Sequence, residues 1–230
     1  LEECMARNFL SLISHKFKTP LAAINRYAQK LSDEAETKAL PDMVKKSSAT
    51  ILSQGRKLNA LVESLLDFVT IENMDETGLD ITSFDALELI NETAEIMKRR
   101  FKDIEGLTFK IAVMETVTLN SDRNLVKTAL KCLIDNAVKF NPAREKLVII
   151  SAQTRDGSAL LSVGDNGTGI PGEELENIFS KFYQVEASFT GQVEGWGLGL
   201  ALVKKTADLH HGRVFAKSQL QKGSAFTLLL

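Results

Sequence analysis

From residue 13 onward the apolar positions Ile13, Phe17, Pro20, Ile24, Tyr27 and Leu31 recur at alternating steps of four and three. That rhythm is the seam of a packed helix, and it predicts one long helix over residues 1 to about 32. A polar stretch, "SDEAETKALPD", follows, with Pro41 suited to a first helical turn. A second seam then runs through Val44, Ile51, Leu58, Val62, Leu65 and Val69, with Ser48 and Gly55 in its weak places. The pair predicts a helical hairpin. Each helix carries more apolar surface than one seam uses: Leu10, Leu12 and Leu21 on the first, Leu52, Leu61, Leu66 and Phe68 on the second. Pairing two hairpins into a dimeric four-helix bundle would cover it.

The acidic segment "ENMDETGLD" breaks the seam and reads as a linker. Beyond it the period changes. Helical patterns recur at about 85–101, 122–139 and after 197, and between them lie the β-rich runs "LTFKIAV", "KLVIISAQT", "ALLSVGD", "GRVFAKS" and "SAFTLLL". Together they predict an α/β sandwich, a sheet covered by helices on one face. The organisation expected is multi-domain: a hairpin over 1–72, a linker over 73–80 and the sandwich over 81–230. Between Asn166 and Gly195 periodicity fades and glycines accumulate, as in a functional lid.

Composition narrows the classes. The 230 residues are 44% hydrophobic with a net charge of -2, so a real core is affordable and no electrostatic footprint for nucleic acid exists. Lys98-Arg99-Arg100 is the one basic cluster and reads as a solvated helix face. Cys4 and Cys132 stand far apart without metal-ligand spacing, which points to a reducing, cytoplasmic setting. No run of apolar residues is long enough to span a membrane, so no membrane contact is expected within this fragment, and any anchor would lie in another part of a longer protein.

Four stretches carry candidate chemistry. In "SHKFKTPL" the helical period turns His15 away from the seam, and Pro20 cannot donate to the carbonyl of Lys16, so the backbone bends just past an exposed imidazole. In "CLIDNAVKFNP", Asn136 and Lys139 share a helical face, an amide oxygen able to ligate a hard cation beside an ammonium able to meet phosphate. In "LSVGDNGTGIP", Asp165 ends a strand where it can accept from an exocyclic amine, and Gly167 and Gly169 let the backbone turn beside a planar ligand. In "GWGLGLAL", Gly195, Gly197 and Gly199 precede a helix whose free amides and positive dipole end favour polyphosphate. Each stretch alone also reads as a turn, a cap or a surface histidine.

In this order the stretches resemble the catalytic core of a sensor histidine kinase of a two-component system. The resemblance covers essentially the whole chain: an H-box "FLSLISHKFKTPL", an N-box "CLIDNAVKF", a G1 box "DNGTG", an F-box "IFSKFYQ", a G2 box "GWGLGL" and the closing "HHGRVFAKS" and "KGSAFTL". It implies a homodimer that takes ATP and Mg²⁺, phosphorylates His15, and passes the phosphoryl group to an aspartate of a response regulator receiver domain. By the same resemblance Thr19 belongs to the catalytic residues around His15, Asn136 holds the metal, Lys139 meets the phosphates and Asp165 the adenine amine. Phe140, Gly167, Gly169, Ile170, Tyr183, Gln184, Gly195, Gly197, Leu198, Gly199 and Leu200 line the nucleotide site. Phe179 and Phe182 anchor the lid, and Phe182 also joins the site.

Departures from the family pattern keep alternatives open. Lys16 stands where an acidic residue usually follows the histidine, and an ammonium has no acceptor with which to orient an imidazole. Slow but real autophosphorylation is one reading; a pseudokinase or ATP-binding dimeric signalling scaffold with weak or no autokinase activity is the other. Cys132 occupies a usual asparagine position, Trp196 replaces a small residue, and Gln184 follows the F-box tyrosine. The related gyrase-type ATPases carry a general-base glutamate where Cys132 stands, so plain ATP hydrolysis is disfavoured.

Overall fold

The computed structural model describes residues 18, 21–33, 42–181, 183–185 and 197–230. The chain forms two compact units that divide between Asn73 and Met74. The first holds α1 (21–33) and α2 (Asp42–Glu72). Their contact is close because small residues meet there: a Cβ added at Gly55 would fall 2.0 Å from the Asn25 side-chain oxygen. Ser48, also buried on α2, returns its hydroxyl proton to the Lys45 carbonyl at 2.9 Å, so its burial leaves no polar group unpaired.

On α1 the seam expected from the sequence is displaced by one position, whereas on α2 its small residues Ser48 and Gly55 are buried as expected and only Ile51 and Leu58 turn outward. On α1 the buried residues are Leu21 and Ala28, while Ile24, Tyr27 and Leu31 are 45%, 65% and 40% exposed. On α2, Ser48, Gly55, Phe68 and Ile71 are buried and Ile51 and Leu58 stay 42% exposed. Apolar periodicity marks a stripe on a helix but does not say which neighbouring stripe faces the hairpin partner. Where the two backbones approach most closely, at Gly55 and Asn25, the small residues of the stripe face the partner helix, and Ile24, Tyr27, Ile51 and Leu58 are left outward.

The second unit begins with a short 3₁₀ turn, Glu76–Gly78, and a two-stranded ribbon in which β1 (Ile81–Asp85) pairs antiparallel with β3 (Thr118–Asp122). Sequence periodicity did not reveal this ribbon; "ITSFD" and "TLNSD" are short, largely polar and lack alternation. Between the two strands come α3 (Ala86–Arg100) and β2 (Leu107–Val113), and after them α4 (Arg123–Lys139), β4 (Lys146–Arg155), β5 (Ser158–Asp165), α5 (Gly199–Leu209), β6 (Arg213–Gln219) and β7 (Gly223–Leu229). The main sheet has the order β2-β4-β5-β7-β6; β2 runs parallel to β4 and the other pairings are antiparallel.

One face of this sheet is buried. Val148, Ile150 and Ala152 of β4, Leu161 and Val163 of β5, and Phe226 and Leu228 of β7 pack in one core with Leu89 and Ile90 of α3, Leu130, Leu133 and Ile134 of α4, and Val203 of α5. The alternate positions run across the opposite face in register, Lys110, Ile149, Gly164, Ala225 and Lys217 in one row. This is the one-sided sandwich that the alternating runs predicted.

The last residues of β1 and β3 double as helix N-caps. Asp85 accepts from the amides of Leu87 and Glu88 at 2.7 and 3.1 Å, and Asp122 from those of Asn124 and Leu125 at 3.0 and 3.1 Å. The buried Asp122 carboxylate also accepts from the Asp80 amide at 3.1 Å, while its own amide donates to His210 Nε2 at 2.9 Å. His210 Nδ1 faces the Thr206 carbonyl at 2.8 Å, which selects the tautomer with its proton on Nδ1. One residue thus joins the start of α4, the end of α5 and the segment leading into β1. Asp122→Ala removes a cap and strands three amides, those of Asp80, Asn124 and Leu125, and is expected to lower the stability of the second unit by about 2 kcal/mol, read from its thermal or urea transition.

Candidate functional site

Asp165, the last residue of β5, sits half-buried at the rim of the sheet. Its Oδ1 accepts from the Gly167 amide at 2.7 Å and, more weakly, from the Ser224 amide at 3.3 Å. Oδ2 has no protein partner among the described residues. Burial pushes this carboxyl above the usual carboxylate range, and the two backbone amides oppose the shift without cancelling it. The loop that follows lies so close to neighbouring backbone that side chains are excluded: a Cβ at Gly167 would fall 2.7 Å from the Phe140 carbonyl oxygen, and one at Gly169 would fall 2.1 Å from that of Gln219. Gly169 also holds φ at +70°, the left-handed region. Next to it the Ile170 amide donates to Ser218 Oγ at 2.7 Å.

The Phe140 carbonyl ends α4, and the helix's last two turns carry Asn136 and Lys139. Asn136 is half-buried, and its side-chain amide makes no hydrogen bond among the described residues. Lys139 lies against Asp135 at 2.5 Å, an i,i+4 pair of favourable orientation, and Asp135 also meets Arg100 of α3 at 3.2 Å. One turn before Asn136, Cys132 packs beneath Gly199: a Cβ added to that glycine would lie 3.8 Å from the Cys132 Cβ. The first residue of α5 is therefore seated on the same face of α4 as Asn136. Gly197 holds φ at +66°, Leu198 is buried, Leu200 packs partly against the core, and among the described residues no side chain caps the first turn of α5.

The connection between β5 and α5 contributes anchors. Phe179 meets Phe226 edge to face with centroids 6.4 Å apart, and Tyr183 is half-buried against the core with its hydroxyl donated to Glu174. Gln184 is exposed. His15, Lys16, Thr19, Phe182 and Gly195 lie outside the described residues. The end of β5, the end of α4 and the start of α5 thus supply a desolvated acceptor, an amide oxygen, an ammonium and a helix N-terminus around closely packed glycines, groups suited to a planar base joined to a polyanion.

Comparison with known proteins gives two family matches in sequence order. Residues 5–74 match the His Kinase A (phospho-acceptor) domain, and residues 121–230 match the histidine kinase-, DNA gyrase B-, and HSP90-like ATPase. The chain belongs to the sensor histidine kinases. Among the relatives of this histidine kinase core, the sensor protein RprX of Bacteroides fragilis is 32% identical over 228 residues, 98% of the chain and 43% of RprX. The sensor protein SrrB of Staphylococcus aureus is 30% identical over 227 residues, again 98% of the chain but 38% of SrrB. The chain therefore spans about two fifths of the length of these relatives. Among solved structures, full-length ShkA in complex with AMPPNP aligns over 96% of the kinase core and 45% of ShkA, with 26% identity and a TM-score of 0.71. The mycobacterial sensor histidine kinase MprB aligns over 65% of the core and 96% of its own chain, with 27% identity and a TM-score of 0.55.

Sequence reasoning on the kinase core passed over Asn141 and Asn166, although both stand inside quoted motifs. Asn166 Oδ1 accepts from Asn141 Nδ2 at 2.7 Å and from the Leu147 amide at 2.8 Å, and Asn166 Nδ2 donates to the Glu145 carbonyl at 2.9 Å. The signal available was an asparagine directly after each of two site elements.

The raised carboxyl of Asp165 fixes the sign of a pH effect. A carboxyl whose folded pKa exceeds its unfolded value stabilises the fold below the unfolded pKa, and that contribution is lost as pH climbs through the folded value. Asp165→Asn keeps an oxygen for both amides without the buried charge, so it is expected to melt higher than wild type at pH 7, with the difference shrinking as pH approaches 4. Paired melting curves across that range check it.

Proposed function

We propose that this chain binds ATP with Mg²⁺ at the Asp165 site, transfers the γ-phosphoryl group to His15, and hands it to an aspartate of a response regulator receiver domain, acting as a homodimer. The observation that carries the reading is the half-buried Asp165 carboxylate: one oxygen is occupied by backbone amides, and the other has no protein partner among the described residues and is open to a ligand's donor, beside a glycine loop packed tightly against neighbouring backbone. An exocyclic adenine amine would supply the missing donor and offset the cost of burial. Asn136 and Lys139 would then face the phosphates, with the uncapped start of α5 opposite them. The relative crystallised with AMPPNP supports the same ligand class.

Asn136 would hold Mg²⁺ by its amide oxygen, together with phosphate oxygens, and the ion would supply charge neutralisation. Among the described residues no cluster of three or more His, Cys, Asp or Glu could hold a metal by itself, which suits a cation shared with substrate. The transfer asks little covalent chemistry of the protein: a ring nitrogen of His15 bonds to the γ-phosphorus, the bond to the β,γ-bridging oxygen breaks, ADP leaves, and the imidazole proton passes to solvent. Lys16 offers no acceptor for that proton, which makes the step slow. The exposed stripe Ile24, Tyr27, Leu31, Ile51 and Leu58 supports pairing of two hairpins, each covering the other's apolar surface. Among the described residues no helix is long and apolar enough to cross a membrane.

With γ-labelled ATP and Mg²⁺ the chain is expected to acquire acid-labile, base-stable phosphate slowly. His15→Gln abolishes the label, and Asn136→Ala lowers its rate by about 100-fold or more. ATP bound without any label on the protein would replace the kinase reading by that of a nucleotide-binding scaffold.

A further inference from the structure

The two halves of the proposed nucleotide site sit on different elements, the base-binding carboxylate at the end of β5 and the phosphate- and metal-binding groups at the end of α4. One ligand can engage both only if the separation of these ends is fixed. Direct links between them are weak: the Thr168 amide and hydroxyl both reach the Phe140 carbonyl at 3.3 Å, the long end of hydrogen bonding.

The shorter bonds lie one residue further along each element. Asn141 follows Phe140, Asn166 follows Asp165, and their side chains bond to each other at 2.7 Å. Asn166 is engaged on both sides of its amide, its oxygen taking the Leu147 amide as well and its nitrogen giving to the Glu145 carbonyl. Asn141 is only 2% exposed, and its own oxygen accepts from the Ala143 amide at 3.1 Å. Lys146 adds a contact from its ammonium to the Asn141 carbonyl. The turn between α4 and β4 is thereby laced to the loop after β5 by side-chain amides that lie beside the site without belonging to the groups assigned to the ligand.

We propose that Asn141 and Asn166 form a clasp that positions the phosphate-binding end of α4 against the base-binding end of β5. They are positioning residues: they act through Phe140, Lys139 and Asp165. The inference rests on the nucleotide reading of both ends. A rigid spacing matters little to a ligand that uses one end, and matters to a ligand that spans both, because holding the two halves in register is part of what its binding would otherwise have to supply.

The test compares two ligands on the whole chain: adenosine, which reaches the base end, and ATP with Mg²⁺, which reaches both, each titrated calorimetrically. Asn141→Ala and Asn166→Ala are each expected to weaken ATP about tenfold, the weight of one lost hydrogen bond. Adenosine should stay within about twofold. The double variant should lose less ATP affinity than the product of the two single losses, because the bond the two residues share can be lost only once. Parallel losses for both ligands, losses that multiply in the double variant, or no loss would overturn the clasp and leave the nucleotide reading standing. A wild-type chain that binds neither ligand would overturn both. Should the buried Asn141→Ala fail to fold, Asn166→Ala, at an exposed position, carries the ligand comparison alone.

Discussion

A carboxylate held partly out of water is the constraint around which the catalytic unit is arranged. Burial of Asp165 is unfavourable for a charge, and among the described residues it is offset on one oxygen, through the amides of Gly167 and Ser224. To bring those amides in, the backbone after β5 must fold back against the end of α4 and the turn between β6 and β7, at distances that leave no room for a Cβ at residue 167 or 169. The absence of side chains at Gly167 and Gly169 follows from that placement, and the side-chain amides that lace the loops lie directly beside it. A fold selected for stability alone would have put a neutral group there.

Much of this was legible in the order of residues. The five strands of the main sheet stood out as short β-rich runs between turn residues, and the three helices that cover it by their apolar stripes. Asp165, Gly167 and Gly169 could be picked out because few physical roles require an acid and two glycines in that spacing. The ribbon of β1 and β3 could not, since β1 is largely exposed, two of the three buried residues of β3 are the polar Ser121 and Asp122, and the pairing is non-local. Asn141 and Asn166 were equally silent: an asparagine in a loop reads the same whether it is solvated or buried with every valence used, and only the neighbouring backbone decides which.

The hairpin shows a different limit. A seam of large apolar residues on α1 suggested the intramolecular contact, yet the contact is made by Leu21, Asn25 and Ala28, and the larger residues one position earlier face outward. Sequence periodicity counts apolar positions, whereas packing between two helices is governed by how near their axes can come. Where a helix has two stripes, one for its own hairpin and one for another surface, the narrower side chains go to the closer approach.

The unpaired margins of the main sheet carry a last consequence. Its borders are β2 and β6, and each displays cations toward solvent, Lys110 on one and Arg213 and Lys217 on the other. A foreign strand adding to either border would bring its own backbone and side chains against fixed positive charge. Two such sheets meeting edge to edge would bring like charges together, which works against pairing between copies.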